Sequence, residues 1–254
     1  MIDKPFAIDL KDADKLLALA ARQQRLLSVF HNRRWDGNFL TARAVLSRAD
    51  IGEINYCEIH FDRFRPKAKK GWRETDQPGS GVLYDLGPHL IDQALCLFGM
   101  PEAVIADVTA QREGVVADDY FHLQLIYKQS LRVVLHASCL ALHEGPRLVA
   151  HGNKGSLVVH GLDGQEAALA AGARPGDLSW GTTESVSVLL IDESGRHDVP
   201  VVPGAYERYY RSIAEAILEG QEPAVTAKQA RDVMAVLDAA RQSVAERRWV
   251  SPAI

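Results

Sequence analysis

The period of the apolar positions changes along the chain and divides it. Over residues 10–24, Leu10, Ala13, Leu17, Ala20 and Ala21 recur at helical spacing, with Asp9 placed to cap the helix and Asp12 complementing its dipole. Residues 26–30 form a compact apolar run of the kind found in buried parallel strands, after which 31–36 turns polar. A single helix and strand cannot cover their own apolar faces, so this αβ unit needs neighbouring parallel strands. A second helix is expected over 39–47, with Asp36-Gly37-Asn38 ahead of it as a hinge.

From 54 onward the pattern shortens to runs of strand formers at 54–64, 103–109, 120–127, 131–138, 147–151 and 156–160. Lys128-Gln129-Ser130 and Gly152-Asn153-Lys154-Gly155 are hairpin-sized links, and 185–191 with 197–202 would add another hairpin around Glu193-Ser194-Gly195. The sequence therefore predicts an α+β fold: a predominantly antiparallel open sheet with helices on one face, preceded by the αβ unit. Residues 161–181, small and aperiodic, read as a long surface excursion that could cover a ligand site. Two helices close the chain, 206–218 with Gly220 as a stop, and 227–246, where Thr226 and Gln229 form a capping box.

Composition narrows the function classes. At 254 residues and 47% hydrophobic content the chain can bury a substantial core, as one large domain or two smaller ones. Its 29 basic and 33 acidic residues are interspersed, so no basic stripe invites nucleic acid, and a small neutral or mildly polar ligand fits better. Cys57, Cys96 and Cys139 are widely spaced and lie in apolar stretches, as reduced packing thiols do. No apolar run approaches the roughly 20 residues of a membrane span, and the first residues lack signal-peptide character; a cytoplasmic location is expected.

Asp85, His89 and Asp92 stand at i, i+4 and i+7, so a helix over 83–97 puts them on one face. Pro88 is tolerable only in a first turn, which places Asp85 and His89 near the positive end of the dipole, facing a ligand cleft. The alternative is that the aspartates cap and solvate the helix while His89 packs. No HExxH or paired-cysteine pattern occurs, and His31, His60, His122, His136, His143, His151, His160 and His197 show no ligand spacing, so no metal site is expected. Lys4-Pro5 precedes the αβ unit, at what would be the C-terminal end of a parallel strand, where open α/β sheets gather their ligands.

Asp3-Lys4-Pro5 looks like a Glu-Lys-Pro motif with Asp for Glu, and 79–92 looks like a glycine-rich Asp-x-Gly-x-His-x-x-Asp helix. On these the sequence resembles the Gfo/Idh/MocA oxidoreductases; Asn32-Arg33-Arg34-Trp35-Asp36 and His60-Phe61-Asp62-Arg63-Phe64-Arg65-Pro66 resemble a subgroup that includes NADP-dependent scyllo-inositol dehydrogenases. The resemblance implies that 1–35 is a remnant of a nucleotide-binding Rossmann domain and 36–254 a substrate and oligomerisation domain. Family members begin with a Gly-x-Gly-x-x-Gly loop, which this sequence does not contain.

By the same resemblance Lys4, Asp85 and His89 surround the substrate carbon beside the nicotinamide. His89 takes the hydroxyl proton, Asp85 orients or relays for it, and Lys4 polarises the oxygen. Lys4 and Pro5 would be the residual cofactor contacts, and Arg34, Trp35, Arg63, Tyr84 and Asp92 the pocket for a sugar or polyol. NAD(P) is the implied cofactor, expected not to bind this chain alone, which leaves the isolated chain inactive. The competing expectations are a non-catalytic polyol-binding or dimerisation module and a half-enzyme completed by a partner chain. A homo-oligomer through the open sheet face is expected, carried by Phe121, Leu123, Leu125, Val133 and Leu135.

Overall fold

The computed structural model describes residues 1–68, 71–177 and 180–253. Its strands are β1 (Ile54–His60), β2 (Ala103–Thr109), β3 (Tyr120–Ile126), β4 (Arg132–Ser138), β5 (Leu148–Gly152), β6 (Gly155–His160), β7 (Ser187–Asp192) and β8 (Gly195–Asp198). The helices are α1 (Leu10–Arg22), α2 (Gly37–Ser47), α3 (Gly81–Phe98), α4 (Gln165–Ala170), α5 (Glu207–Leu218) and α6 (Ala227–Glu246). The strands form one open sheet in the order β2-β3-β4-β1-β5-β6-β7-β8, mostly antiparallel, which is the expected α+β architecture.

Two compact units share the chain: Met1–His31, Ile59–Glu144 and Glu222–Ile254 make the first, Asn32–Glu58 and Gly145–Gln221 the second. In the first, β2–β4 align Val104 with Leu125, Leu123 with Leu135 and Phe121 with Ala137, all fully buried. Helices α3 and α6 pack on these strands. Each such side chain contributes about 1.5–3 kcal/mol on leaving water. The stripe expected to form an oligomer face, Phe121, Leu123, Leu125, Val133 and Leu135, is thus the core face; alternation sends Tyr120, His122, Gln124 and His136 to the other side.

Helix α1 starts as expected, with the Asp9 carboxylate accepting from the Asp12 amide at 2.8 Å, and packs on α6. Residues 26–30 do not form a strand. They make a single parallel bridge, Ile2 to Val29, closed by Ile2 N to Ser28 O at 3.0 Å and Phe30 N to Ile2 O at 2.9 Å.

Helix α3 begins at Gly81, so Pro88 lies inside it and not in its first turn as the sequence predicts. Pro88 has no N–H to offer the Tyr84 carbonyl. Packing sustains the helix: Gly87 lies so close to its neighbours that a Cβ there would stand 3.2 Å from Leu83 Cδ1 and 3.6 Å from Leu237 Cδ1 of α6. Ser80 makes no side-chain cap. The cap comes from Asp118, whose Oδ2 accepts from Leu83 N at 2.6 Å and whose carbonyl accepts from Val82 N at 2.8 Å.

In the second unit, β8 ends at Asp198 and not at 202, because Val202 N donates to Thr41 Oγ1 at 2.9 Å outside the ladder. The supposed surface excursion over 161–181 contains α4 and buried polar anchors; Leu178 and Ser179 lie outside the described residues. Gln165 donates to the Trp35 carbonyl at 3.1 Å and accepts from Tyr206 N at 2.8 Å, and Asp163 accepts from Gly37 N at 2.6 Å. Asp36 and Asn38, in the segment expected as a hinge, are buried beside these bonds. The Thr226–Gln229 capping box forms, all three cysteines are free thiols, and no helix among the described residues is long and apolar enough to cross a membrane.

Candidate active site

The Ile2–Val29 bridge holds the start of the chain, and two residues on, past Asp3, Lys4 reaches α3. Its Nζ lies 2.9 Å from Asp85 Oδ1 and also donates to the Asp85 carbonyl oxygen. The Lys4–Pro5 peptide bond is cis. Two further cations face the same carboxylate: Arg63 at 3.6 Å from Oδ2 and Arg73 at 3.7 Å from Oδ1. Both guanidinium groups are steadied by aromatic faces, Arg63 over Phe61 and Arg73 over Trp72, each 4.7 Å from the ring centroid. Burial pushes the Asp85 carboxyl up, but Lys4 first, then Arg63 and Arg73, outweigh it and hold the group below its ordinary range. Asp85 is therefore an anion at neutral pH, an acceptor and not an acid.

This cluster opens on a cavity of ≈ 190 Å³ lined by Arg63, Arg65, Trp72, Arg73, Asp85 and Arg112, among others. Arg112 is committed to structure. Its Nε donates to Asp119 at 2.8 Å, another nitrogen to Glu74, and a third to the Arg65 carbonyl at 3.2 Å, tying Arg65 and Glu74 to Asp119. Arg63 and Arg73 stand at the cavity wall, each within 4 Å of the Asp85 carboxylate. Trp72, 49% exposed, offers an apolar wall.

Of the helical trio, only Asp85 lines this cavity. His89 and Asp92 are buried within α3, whose residues from Gly81 to Ala94 are enclosed on nearly every side, so the expected shared cleft-facing surface is not observed. Tyr84 points elsewhere as well. Its hydroxyl donates to the Ile8 carbonyl at 2.7 Å and its ring lies 5.8 Å from the Arg241 guanidinium, in the wall of a second hollow of ≈ 320 Å³. Burial raises the Tyr84 phenol, with Arg241 pulling against it. Arg34 and Trp35 belong to the second unit, buried in a 3-10 turn where Trp35 meets Tyr209 edge-on at 5.9 Å.

Arg65, Trp72, Arg73, Arg112 and Asp118 were not singled out from sequence. The density of arginines in 63–73 beside Trp72 is the signal that points to them. Among the described residues no helix follows a parallel strand through a glycine-rich turn, the feature that receives a pyrophosphate in dinucleotide-binding folds.

The family model described as the oxidoreductase family C-terminal alpha/beta domain (Gfo/Idh/MocA) matches residues 43–251. The oxidoreductase YdgJ of Escherichia coli is 44% identical over 250 residues, 97% of this chain and 72% of that protein. The scyllo-inositol 2-dehydrogenase (NADP(+)) IolW of Bacillus subtilis is 40% identical over 255 residues, covering 98% of this chain and 71% of that protein. Among solved structures, the oxidoreductase yvaA of Bacillus subtilis superposes with TM-score 0.91 at 41% identity, over 98% of this chain and 72% of that one. An oxidoreductase from Klebsiella pneumoniae does so with TM-score 0.90 at 39% identity, over 99% and 70%. The chain belongs to the Gfo/Idh/MocA oxidoreductase family.

Proposed function

We propose that this chain forms the substrate side of an NAD(P)-dependent oxidoreductase acting on a CH–OH group of a sugar or polyol, inositol-like in its ring of hydroxyls. The observation that carries the reading is the Lys4–Asp85 ion pair at the edge of a cavity walled by Arg63 and Arg73. A lysine ammonium has three donors; Asp85 takes two, and the third can donate to a substrate oxygen. That contact strengthens as the oxygen gains negative charge, which is what lowers the barrier to oxidation. Asp85, fixed as an anion, aims Lys4, and the arginines suit a ligand rich in acceptor oxygens.

The family resemblance gives the exchange of the hydroxyl proton to His89, a task for which imidazole is suited near neutral pH, but here His89 is buried in α3 and does not line this cavity, so the reading rests on Lys4 and Asp85. The dinucleotide, when bound, supplies the hydride acceptor. In this reading hydride transfer relies on a dinucleotide-binding segment besides the residues that form this pocket, and the pocket residues alone are expected not to turn over substrate. Ile8, Leu19 and Leu26, which are 48%, 44% and 42% exposed, support a second element: this apolar surface suits a covering segment, in the same polypeptide or a partner.

Calorimetric titration of the chain with scyllo- and myo-inositol, then with NADP and NAD, tests the reading. Heat from a polyol and none from either dinucleotide is expected. Micromolar dinucleotide binding by this chain would overturn the division of labour, and the absence of binding across the polyols would overturn the substrate class.

A further inference from the structure

Away from the Lys4–Asp85 cavity, three metal-ligating side chains meet on the side of the sheet opposite α3 and α6. His60 closes β1, Asp62 follows two residues later, and His136 stands in β4 between the fully buried Leu135 and Ala137, so alternation turns its imidazole outward. The backbone locks the two segments together: Phe61 N donates to the His136 carbonyl at 2.9 Å and Arg63 N to the Ser138 carbonyl at 2.8 Å. Ser138 N in turn donates to Asp62 Oδ1 at 2.9 Å, orienting the carboxylate. One nitrogen or oxygen from each of the three residues lies within 4.8 Å of the others.

His60 Nδ1 is 3.3 Å from Asp62 Oδ2, and His136 Nε2 is 3.3 Å from Asp62 Oδ1. Both contacts are long for a charge-assisted N–H···O bond of about 2.7–2.9 Å, so the three side chains have room to draw in around an ion. The two contacts run to different carboxylate oxygens; a single ion would take one Asp62 oxygen with a nitrogen from each histidine, atoms that lie within 4.8 Å of one another, and small side-chain rotations bring them to the roughly 3.3 Å edges of a tetrahedral site with zinc bonds of about 2.0–2.1 Å. The geometry points to a divalent cation site of the zinc class: His60, Asp62 and His136 as ligands, with water in the fourth position. The support around it is of the kind that orients metal ligands. Tyr120 meets the His136 ring edge-on at 5.2 Å and His122 does so at 5.9 Å, while the Ser138 amide fixes the carboxylate. All three ligands are partly open to solvent, at 24%, 13% and 18% side-chain exposure, so an ion can enter.

The test uses the full chain stripped with a chelator and titrated with Zn²⁺ by calorimetry, and with Co²⁺ by visible absorption. One ion per chain is expected, with the cobalt spectrum of a four-coordinate nitrogen–oxygen site. His60→Ala and His136→Ala should each weaken binding at least tenfold, while His143→Ala, a substitution at an exposed histidine elsewhere, leaves it unchanged. Asp62→Asn keeps the shape and an acceptor for the Ser138 amide but loses the charge, and should weaken binding as well; circular dichroism establishes that each variant is folded. No stoichiometric binding by the wild type, or equal affinity in folded His60→Ala and His136→Ala, would overturn the site and leave a His–Asp–His contact without an ion.

Discussion

Asp85 serves Lys4 by staying charged, and that fixes how the pair answers to pH. Its folded pKa is held below the ordinary value, by Lys4 and then by Arg63 and Arg73 against the effect of burial. The stabilisation is therefore present in full above the unfolded value of about 3.9 and is lost as pH falls through the folded value. Asp85→Asn is predicted to cost roughly 1–2 kcal/mol, the range for a half-buried charged contact. In urea denaturation the gap between wild type and variant should be constant from about pH 5 to 8 and close below about pH 4. A gap that widens on acidification would contradict the assignment. At this scale the sequence was informative where a motif names a residue and silent where orientation decides. Lys4, Asp85 and Arg63 come together as the resemblance implies, whereas Tyr84 and His89 sit on the same helix yet away from the cavity. Spacing along a helix cannot orient side chains when the helix is buried almost all round.

Helix α3 carries the site, and its start is set from a distance. Asp118 caps it across 35 residues of sequence, and Gly81 makes this possible: with φ of +87°, a Cβ there would stand 2.0 Å from Asp118 Oδ1. Asp118→Ala is predicted to lower stability by about 1–2 kcal/mol, as loss of a helix cap does. Gly81→Ala should cost more, since it adds backbone strain to the same loss. Calorimetric melting of the two variants checks the order. Burial pushes the Asp118 carboxyl up to about 6, more than its backbone hydrogen bonds lower it. A raised carboxyl favours the folded state at low pH, and that advantage fades as pH rises from about 4 to 6. Wild type should therefore lose stability relative to Asp118→Asn over that window, the reverse of the Asp85 pair. Such a cap was not legible in the sequence, because its two halves are adjacent only after β3 and α3 pack. For the same reason Pro88 was misplaced: a helix held by tertiary contacts tolerates a proline that an isolated one would not.

At the scale of the whole chain, alternation showed which residues form strands but not which side of the sheet is covered. Phe121, Leu123, Leu125, Val133 and Leu135 read equally well as an interface or as a core; α3 and α6 make them core. Leu123→Ala or Leu135→Ala should thus destabilise folding by about 2–5 kcal/mol, seen as a lower denaturation midpoint at every protein concentration. Dissociation of an intact protomer would contradict this. The same blindness hid His60, Asp62 and His136, whose separation along the chain has no ligand pattern and which only strand pairing brings together. Among the described residues the eight strands and five of the six helices were legible, since period and turn chemistry are local, although the strand expected over 26–30 is only an isolated bridge. The buried polar network of Asp163 and Gln165 was not, because small residues without period look alike in a loop and in a core segment.

The proposed function requires Lys4, held by Asp85, to meet a substrate hydroxyl. The most direct measurement is the affinity of scyllo-inositol for wild type, Lys4→Met and Asp85→Asn, each established as folded by circular dichroism. Wild type is predicted to bind, with both variants weakened at least tenfold, the loss of one charge-assisted hydrogen bond of about 1.5–3 kcal/mol. Equal affinity in all three proteins would contradict it.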